Sequence, residues 1–370
     1  GGSGPEATAL KDAFPPLAML VLSHNLQSDE PVKRRARKLC CALVKTLCSK
    51  SESHKASFVN KNSKGLDALL LVLEQESGNK ALLVEACGAL RAVTSFDDYR
   101  NDFSVAYDTA RSAVELGYIQ KLVVLARGEH KDDAVMLAAL LHAIKPLACN
   151  DDSVQRLCAA GCIEIAVGSM RSNVGDAGVC KSAAGLMRNM AGNDSVKRQL
   201  CMSDALGLLI QALQDHKTDA ALADNAVAAL ANMCLRSPEN SLRIASAGGI
   251  RSVTLAMRLH PTSGGVQRQA CLFLRNLVGR CPELVEVVLE EGVEELIRAA
   301  GTLQGSVDVA YAALRDLGLP VELITLTDSG EIQRGYREFG KKESNFQAVW
   351  DESDDLHGNV DNKFREAGMA

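Results

Sequence analysis

The chain has 370 residues, with 41 basic and 46 acidic side chains, a formal net charge of −5 and a pI near 5.9. That balance gives no global attraction to nucleic acid or to an anionic membrane surface. Apolar residues at 47% and charged residues at 24% fit a globular chain, and aromatics at only 4% leave small aliphatic side chains to build the core. Such a core suits helices packed closely on helices and does not suit a β-sandwich. No apolar run reaches the roughly 18 residues that a membrane span requires.

From the N-terminus, Gly1-Gly2-Ser3-Gly4 reads as a fragment start or an expression scar, and residues 1–14 are set apart as an extension. The run Pro31-Val32-Lys33-Arg34-Arg35-Ala36-Arg37-Lys38 has two readings: a nuclear-targeting signal, or the solvated face of a first-repeat helix leading into Leu39-Cys40-Cys41. Twelve cysteines follow along the chain without a CxxC motif. Most lie in apolar helical stretches, where a reduced thiol acts as a small hydrophobe. This usage predicts a reducing compartment: the cytoplasm, with the nucleus left open.

One short pattern recurs: apolar, basic, small or polar, apolar. It reads Val44-Lys45-Thr46-Leu47, Leu90-Arg91-Ala92-Val93, Ile144-Lys145-Pro146-Leu147 and Met187-Arg188-Asn189-Met190. It continues as Leu230-Ala231-Asn232-Met233, Leu274-Arg275-Asn276-Leu277 and Leu314-Arg315-Asp316-Leu317. A second pattern, a turn residue before an apolar stretch, runs through Gly65-Leu66, Gly117-Tyr118-Ile119, Gly161-Cys162-Ile163, Asp204-Ala205-Leu206, Gly248-Gly249-Ile250 and Gly292-Val293. Both patterns share a period of about 43 residues, the spacing of armadillo and HEAT units. Each unit reads as helices. In the segment Gln267 to Val278, for example, Ala270, Cys271, Leu274 and Leu277 fall on one face. A single unit cannot cover its apolar stripe, so stacked neighbours must bury it in one continuous core.

Two irregularities interrupt the array. Between Ser95 and Val114 the spacing stretches by roughly ten residues, in a segment carrying Asp97, Asp98, Arg100, Asp102 and Asp108 that reads as a longer connection. Pro146 sits inside a helical pattern, where its missing N–H predicts a kink. The array ends near Pro320. Residues 328–370 carry ten acidic and six basic residues together with Tyr336, Phe339, Phe346, Trp350 and Phe364, and their helical periodicity is poor. Residues 321–370 are therefore expected to form an acidic, aromatic-containing, flexible tail.

The Gly-Gly-Ile opening and the Leu-Arg-Asn-Leu close of the unit resemble the armadillo family. The stretch Gly265 to Cys271 running into Leu274-Arg275-Asn276-Leu277-Val278, and Ala312 to Gly318 at the end of the array, carry the same likeness. The resemblance covers residues 60–323 well and the N-terminal part more weakly. It implies an all-α, right-handed solenoid of about seven armadillo repeats, here over residues 15–320. It also implies an interaction role with no catalytic residues.

In that family the third-helix Asn residues line the concave face and bind the backbone of an extended peptide. A primary amide offers donor and acceptor together and so suits a ligand of any sequence. The matching ladder here is Asn189, Asn232 and Asn276, broken at Thr46, Ala92 and Pro146 and replaced by Asp316. The alternative is that each Asn bonds the backbone of the neighbouring repeat. The residue before it is basic at six of seven copies: Lys45, Arg91, Lys145, Arg188, Arg275 and Arg315, with Ala231 the exception. These could form a positive stripe that selects acidic, extended partners, or each could pair with an acidic neighbour. The candidate peptide-binding set is Arg91, Lys145, Arg188, Asn189, Asn232, Arg275, Asn276 and Arg315.

Other classes find less support. Helical solenoids can read RNA, but the array lacks the stacking aromatics that single strands require. A nuclear-import receptor of this family would place Trp one turn before each ladder Asn, where this chain has Gly185, Ala228 and Leu272. None of the seven His residues has a Cys or carboxylate at metal-ligand spacing, and neither a phosphate loop nor a Gly-x-Ser-x-Gly motif is present. The four aspartates Asp351, Asp354, Asp355 and Asp361 lack calcium-loop spacing. The sequence thus predicts a non-enzymatic, monomeric adaptor or scaffold with a protein or peptide partner, no cofactor, no metal, no nucleic acid and no membrane. Two further possibilities are a structural subunit of a larger assembly and a groove autoinhibited by its own tail.

Overall fold

The structure, a computed structural model, describes residues 31–60, 64–98, 100–101, 103–326 and 332–337. Residues 1–30, most of the acidic tail and its aromatics Phe339, Phe346, Trp350 and Phe364 lie outside the described residues. The chain divides into two units, at Leu317/Gly318.

The first unit is an all-α solenoid. Its described part holds nineteen α-helices, which resolve into one leading helix and six triplets. The leading helix is α1 (Pro31–Cys48). The triplets are α2–α4 (Glu52–Val59, Gly65–Gln75, Lys80–Thr94), α5–α7 (Ala106–Glu115, Tyr118–Arg127, Ala134–Ile144) and α8–α10 (Asp151–Ala159, Cys162–Ser172, Ala177–Met190). They continue as α11–α13 (Asp194–Met202, Ala205–Asp215, Ala220–Cys234), α14–α16 (Pro238–Ser246, Gly249–Leu259, Gly264–Val278) and α17–α19 (Leu284–Glu290, Val293–Ala300, Val307–Asp316). Third helices pack on third helices in succession, α1 on α4, then α7, α10, α13, α16 and α19. The basic run at 31–38 starts α1, and its Arg37 is buried against Glu76 of the next triplet.

Each triplet follows from local sequence. The turn between first and second helices needs one left-handed residue, supplied by Gly117 (φ 92°), Gly161 (φ 82°), Gly248 (φ 83°) and Gly292 (φ 68°). In the first triplet Lys64 takes that conformation (φ 52°) and Gly65 is instead the first helical residue, pressed against the Phe58 carbonyl. Asp204 fills the slot without a positive φ, at −65°. Five of the third helices start on a capping side chain, and the last, after Ser306, does not. Asn79, Asp133, Asp176, Asp219 and Ser263 accept from the N–H of Leu82, Met136, Val179, Leu222 and Val266 respectively. The third helices then bury small and branched aliphatics on most sides. In α13, Leu222, Ala226, Val227, Ala229, Leu230 and Met233 are all buried, each large side chain contributing about 1.5–3 kcal/mol. The predicted face of Ala270, Cys271, Leu274 and Leu277 is buried in α16.

Both irregularities have structural consequences. Pro146 ends α7 at Ile144 rather than kinking it, because a proline cannot supply the next helical N–H, and Lys145–Leu147 tightens into a 3₁₀ turn. The long connection after Thr94 is anchored. The buried Lys55 Nζ donates to the Ser95 carbonyl (2.7 Å), to Asp97 (2.6 Å) and to Glu52 (2.7 Å). Glu52 in turn accepts from the Val105 N–H at 3.0 Å, closing the connection at its far end. Asp102 of this segment lies outside the described residues.

The second unit holds an antiparallel hairpin, β1 (Val321–Leu326) paired with β2 (Ile332–Arg337), in the register Val321↔Arg337 to Leu326↔Ile332. A flexible tail was expected from residue 321. The run Val-Glu-Leu-Ile-Thr-Leu is rich in strand-forming residues, a signal that a search for helical periodicity passes over.

Candidate functional site: the third-helix column

Stacking the third helices brings the recurrent basic and Asn positions of successive repeats next to one another. The three ladder amides share one geometry. Asn189 Nδ2 donates to the Lys145 carbonyl at 3.0 Å, Asn232 Nδ2 to the Arg188 carbonyl at 2.9 Å, and Asn276 Nδ2 to the Ala231 carbonyl at 2.9 Å. Each acceptor is the basic-position residue of the preceding repeat (Ala231 in the exceptional copy), at the end of a third helix where carbonyls run short of intrahelical partners; the Lys145 carbonyl also accepts from the Ala148 N–H. The amides are half-buried, and among the described residues the Oδ1 atom of each has no hydrogen bond. One N–H therefore locks the side chain to its neighbour repeat, and the amide oxygen and second N–H stay available.

The basic positions do not share one fate. Lys45 pairs with Glu85 at 2.8 Å and Arg188 with Asp224 at 2.9 Å, each on the next third helix. Arg275 and Arg315 both pair with Asp316, at 3.0 and 2.7 Å. Arg91 and Lys145 form no ion pair among the described residues, although the Asp224 carboxylate, held by Arg188, still acts on Lys145. The reason is legible in the facing helices. Glu85 and Asp224 stand six and seven residues ahead of the recurrent basic position of their own helices, Arg91 and Ala231. The corresponding residues facing Arg91 are Ala138 and Ala139, and those facing Lys145 are Lys181 and Ser182. Lys181 is itself taken by Asp219 at 3.0 Å. Lys145 lies over Gly185, where a Cβ would meet its Cδ at 3.2 Å, so the slot that could have held a Trp holds a lysine stem.

Arg91, Lys145 and Asn189 line one open cavity of about 450 Å³ beside the 3₁₀ turn. His142 and the exposed rings of Phe96 and Tyr107 line it too. Its wall includes the insertion held by Lys55. Partial burial, and then the cations Arg91, Lys145 and Lys181, push the His142 imidazole down from its ordinary 6.5 to about 4. Burial, with Arg188 and Arg91 nearby, also lowers the Lys145 ammonium. His142, Phe96 and Tyr107 were missed by the sequence reading. They sit outside the recurrent pattern: Phe96 belongs to the insertion, Tyr107 follows it, and His142 stands one turn before Lys145. Asp97, the acid at the rim, is engaged by Lys55.

A scan against protein-family models gives no match, and a search of curated proteins gives none either. Solved structures do match. One engineered protein aligns with a TM-score of 0.64 at 22% identity, covering 81% of this chain and 68% of the other. A second engineered protein aligns with a TM-score of 0.57 at 22% identity, covering 68% of this chain and 98% of the other. A chain from a study of a conserved phosphorylation switch controlling the interaction between cadherin and beta-catenin aligns with a TM-score of 0.60 at 18% identity. That match covers 81% of this chain and 53% of the other, so this chain spans about half its length. The likeness is one of fold: a helical-repeat solenoid with armadillo-like architecture. No helix among the described residues is long and apolar enough to cross a membrane.

Proposed function

We propose that this chain is a non-enzymatic protein–protein interaction scaffold that holds an extended, acidic peptide segment along the groove of its third helices. Its structural likeness to a chain from the cadherin–beta-catenin study supports an interaction role in general. The observation that carries the acidic preference is the pair Arg91 and Lys145, two cations that form no ion pair among the described residues and share a cavity with the open amide oxygen of Asn189. Opposite charge steers encounter and fixes register more than it adds affinity. The ladder Asn189, Asn232 and Asn276 supplies sequence-tolerant contacts to a peptide backbone. Arg188, Arg275 and Arg315, already paired, shape the groove without attracting an acid. A reading closer to one branch, armadillo repeat-containing protein 6, rests on the motifs in residues 60–323 alone. The test is an affinity pull-down with Asn232→Ala and Asn276→Ala combined: loss of partners is expected, and an unchanged partner set overturns the groove reading.

A further inference from the structure

Among the described residues, the insertion between α4 and α5 interrupts the repeat pattern with a long, anchored segment. Lys55 is fully buried and spends its three N–H donors on Ser95, Asp97 and Glu52, and Glu52 also accepts from the Val105 N–H. The segment is thereby held as a wall. Phe96, on that wall, is 50% exposed, and Tyr107, one residue into α5, is 49% exposed. In a chain with 4% aromatics, these two half-exposed rings line one cavity together. The same cavity is lined by Arg91 and Lys145, which form no ion pair among the described residues.

We propose that this cavity, lined by Arg91, His142, Lys145, Phe96 and Tyr107, is a composite anchor. It receives an acidic side chain and an adjacent aromatic side chain of one extended peptide. The inference rests on the groove reading above and adds the partner's local chemistry. The carboxylate sits between the guanidinium and the ammonium, with the neutral His142 imidazole able to donate one further hydrogen bond. The neighbouring aromatic side chain stacks on the two rings, a contact whose geometry is specific beyond its buried area. Repeats on the C-terminal side cannot duplicate the anchor, since Arg188 and Arg275 are already bound to Asp224 and Asp316. The peptide is therefore registered at α4, α7 and α10.

The test uses the full chain and fluorescence anisotropy with two labelled decapeptides. One carries an Asp-Glu-Phe core and the other the same core with Ala for Phe. The wild type should bind the Phe peptide about tenfold more tightly, and Tyr107→Ala and Phe96→Ala, made singly, should each erase most of that difference. Arg91→Gln combined with Lys145→Gln should weaken both peptides about tenfold or more, whereas Arg188→Gln should change them less than about twofold. Tyr107→Ala is a surface change that leaves the fold intact, which circular dichroism verifies. Equal affinity of the wild type for both peptides overturns the composite anchor and leaves the groove reading standing. Binding that falls with Arg188→Gln but not with the Arg91 and Lys145 pair also overturns it. Failure of the wild type to bind either peptide overturns the groove reading together with the anchor.

Discussion

Asn232 donates its side-chain N–H to the carbonyl of Arg188, one repeat upstream, at 2.9 Å. The same bond recurs at Asn189 and Asn276, so the ladder has a structural duty before any ligand arrives. Removing it leaves a helix-terminal carbonyl without its partner. Asn232→Ala should cost about 1 kcal/mol, read as a lowered urea midpoint. In a repeat array each unit leans only on its neighbours, so hydrogen exchange should quicken at α10 and α13 and not at α4. Uniform exchange throughout the array would contradict this.

The insertion should depend on one side chain. Lys55→Met leaves Glu52 and Asp97 beside an apolar replacement in a buried setting, a change that typically costs about 3–5 kcal/mol. Limited proteolysis should then cut within 95–105 well before the rest of the array. Protection equal to that of the wild type would show that the wall has other supports.

Two adjacent glycines should respond in opposite ways. Gly248 has φ 83° with open space around it, so Gly248→Asn should be tolerated within about 1 kcal/mol, since Asn accepts the left-handed region. Gly249 lies against Ile244, whose carbonyl oxygen would stand 2.8 Å from an added Cβ. Gly249→Ala must push α14 off α15, and thermal melting should show it as the more damaging of the two.

The protonation of His142 offers a probe of the cavity. Desolvation and three nearby cations disfavour the imidazolium, so its titration in the free protein should centre near 4 rather than 6.5, as followed by proton NMR. Between those values the unfolded chain binds the additional proton, so this group's contribution to stability is lost as pH falls from 6.5 towards 4. A carboxylate peptide bound beside Arg91 and Lys145 should move the midpoint back up. An unmoved midpoint with peptide bound would place the ligand elsewhere.

Charge pairing should also be reversible by design. Asp224→Asn frees Arg188, which now meets Asp224 at 2.9 Å. The positive stretch then extends from α7 into α10, and acidic peptides should bind more tightly with a steeper dependence on salt. Unchanged affinity would mean that the peptide ends before α10.

The period near 43 residues, the basic and Asn positions and the helical class were all readable in the sequence. They repeat, and repetition records which residues every copy needs to bury or cap. The fates of those positions were not readable. Whether a basic residue is neutralised depends on a residue about forty positions away, such as Glu85 for Lys45 or Asp316 for Arg275. Nothing local in the chain announces that partner, since the pairing is created when one third helix stacks on the next. For the same reason Phe96 and Tyr107 come to share a cavity with Arg91 and Lys145 only once the helices stack and Lys55 fastens the insertion. Local sequence determined the repeating unit, and the stacking of units decided which cations remain open.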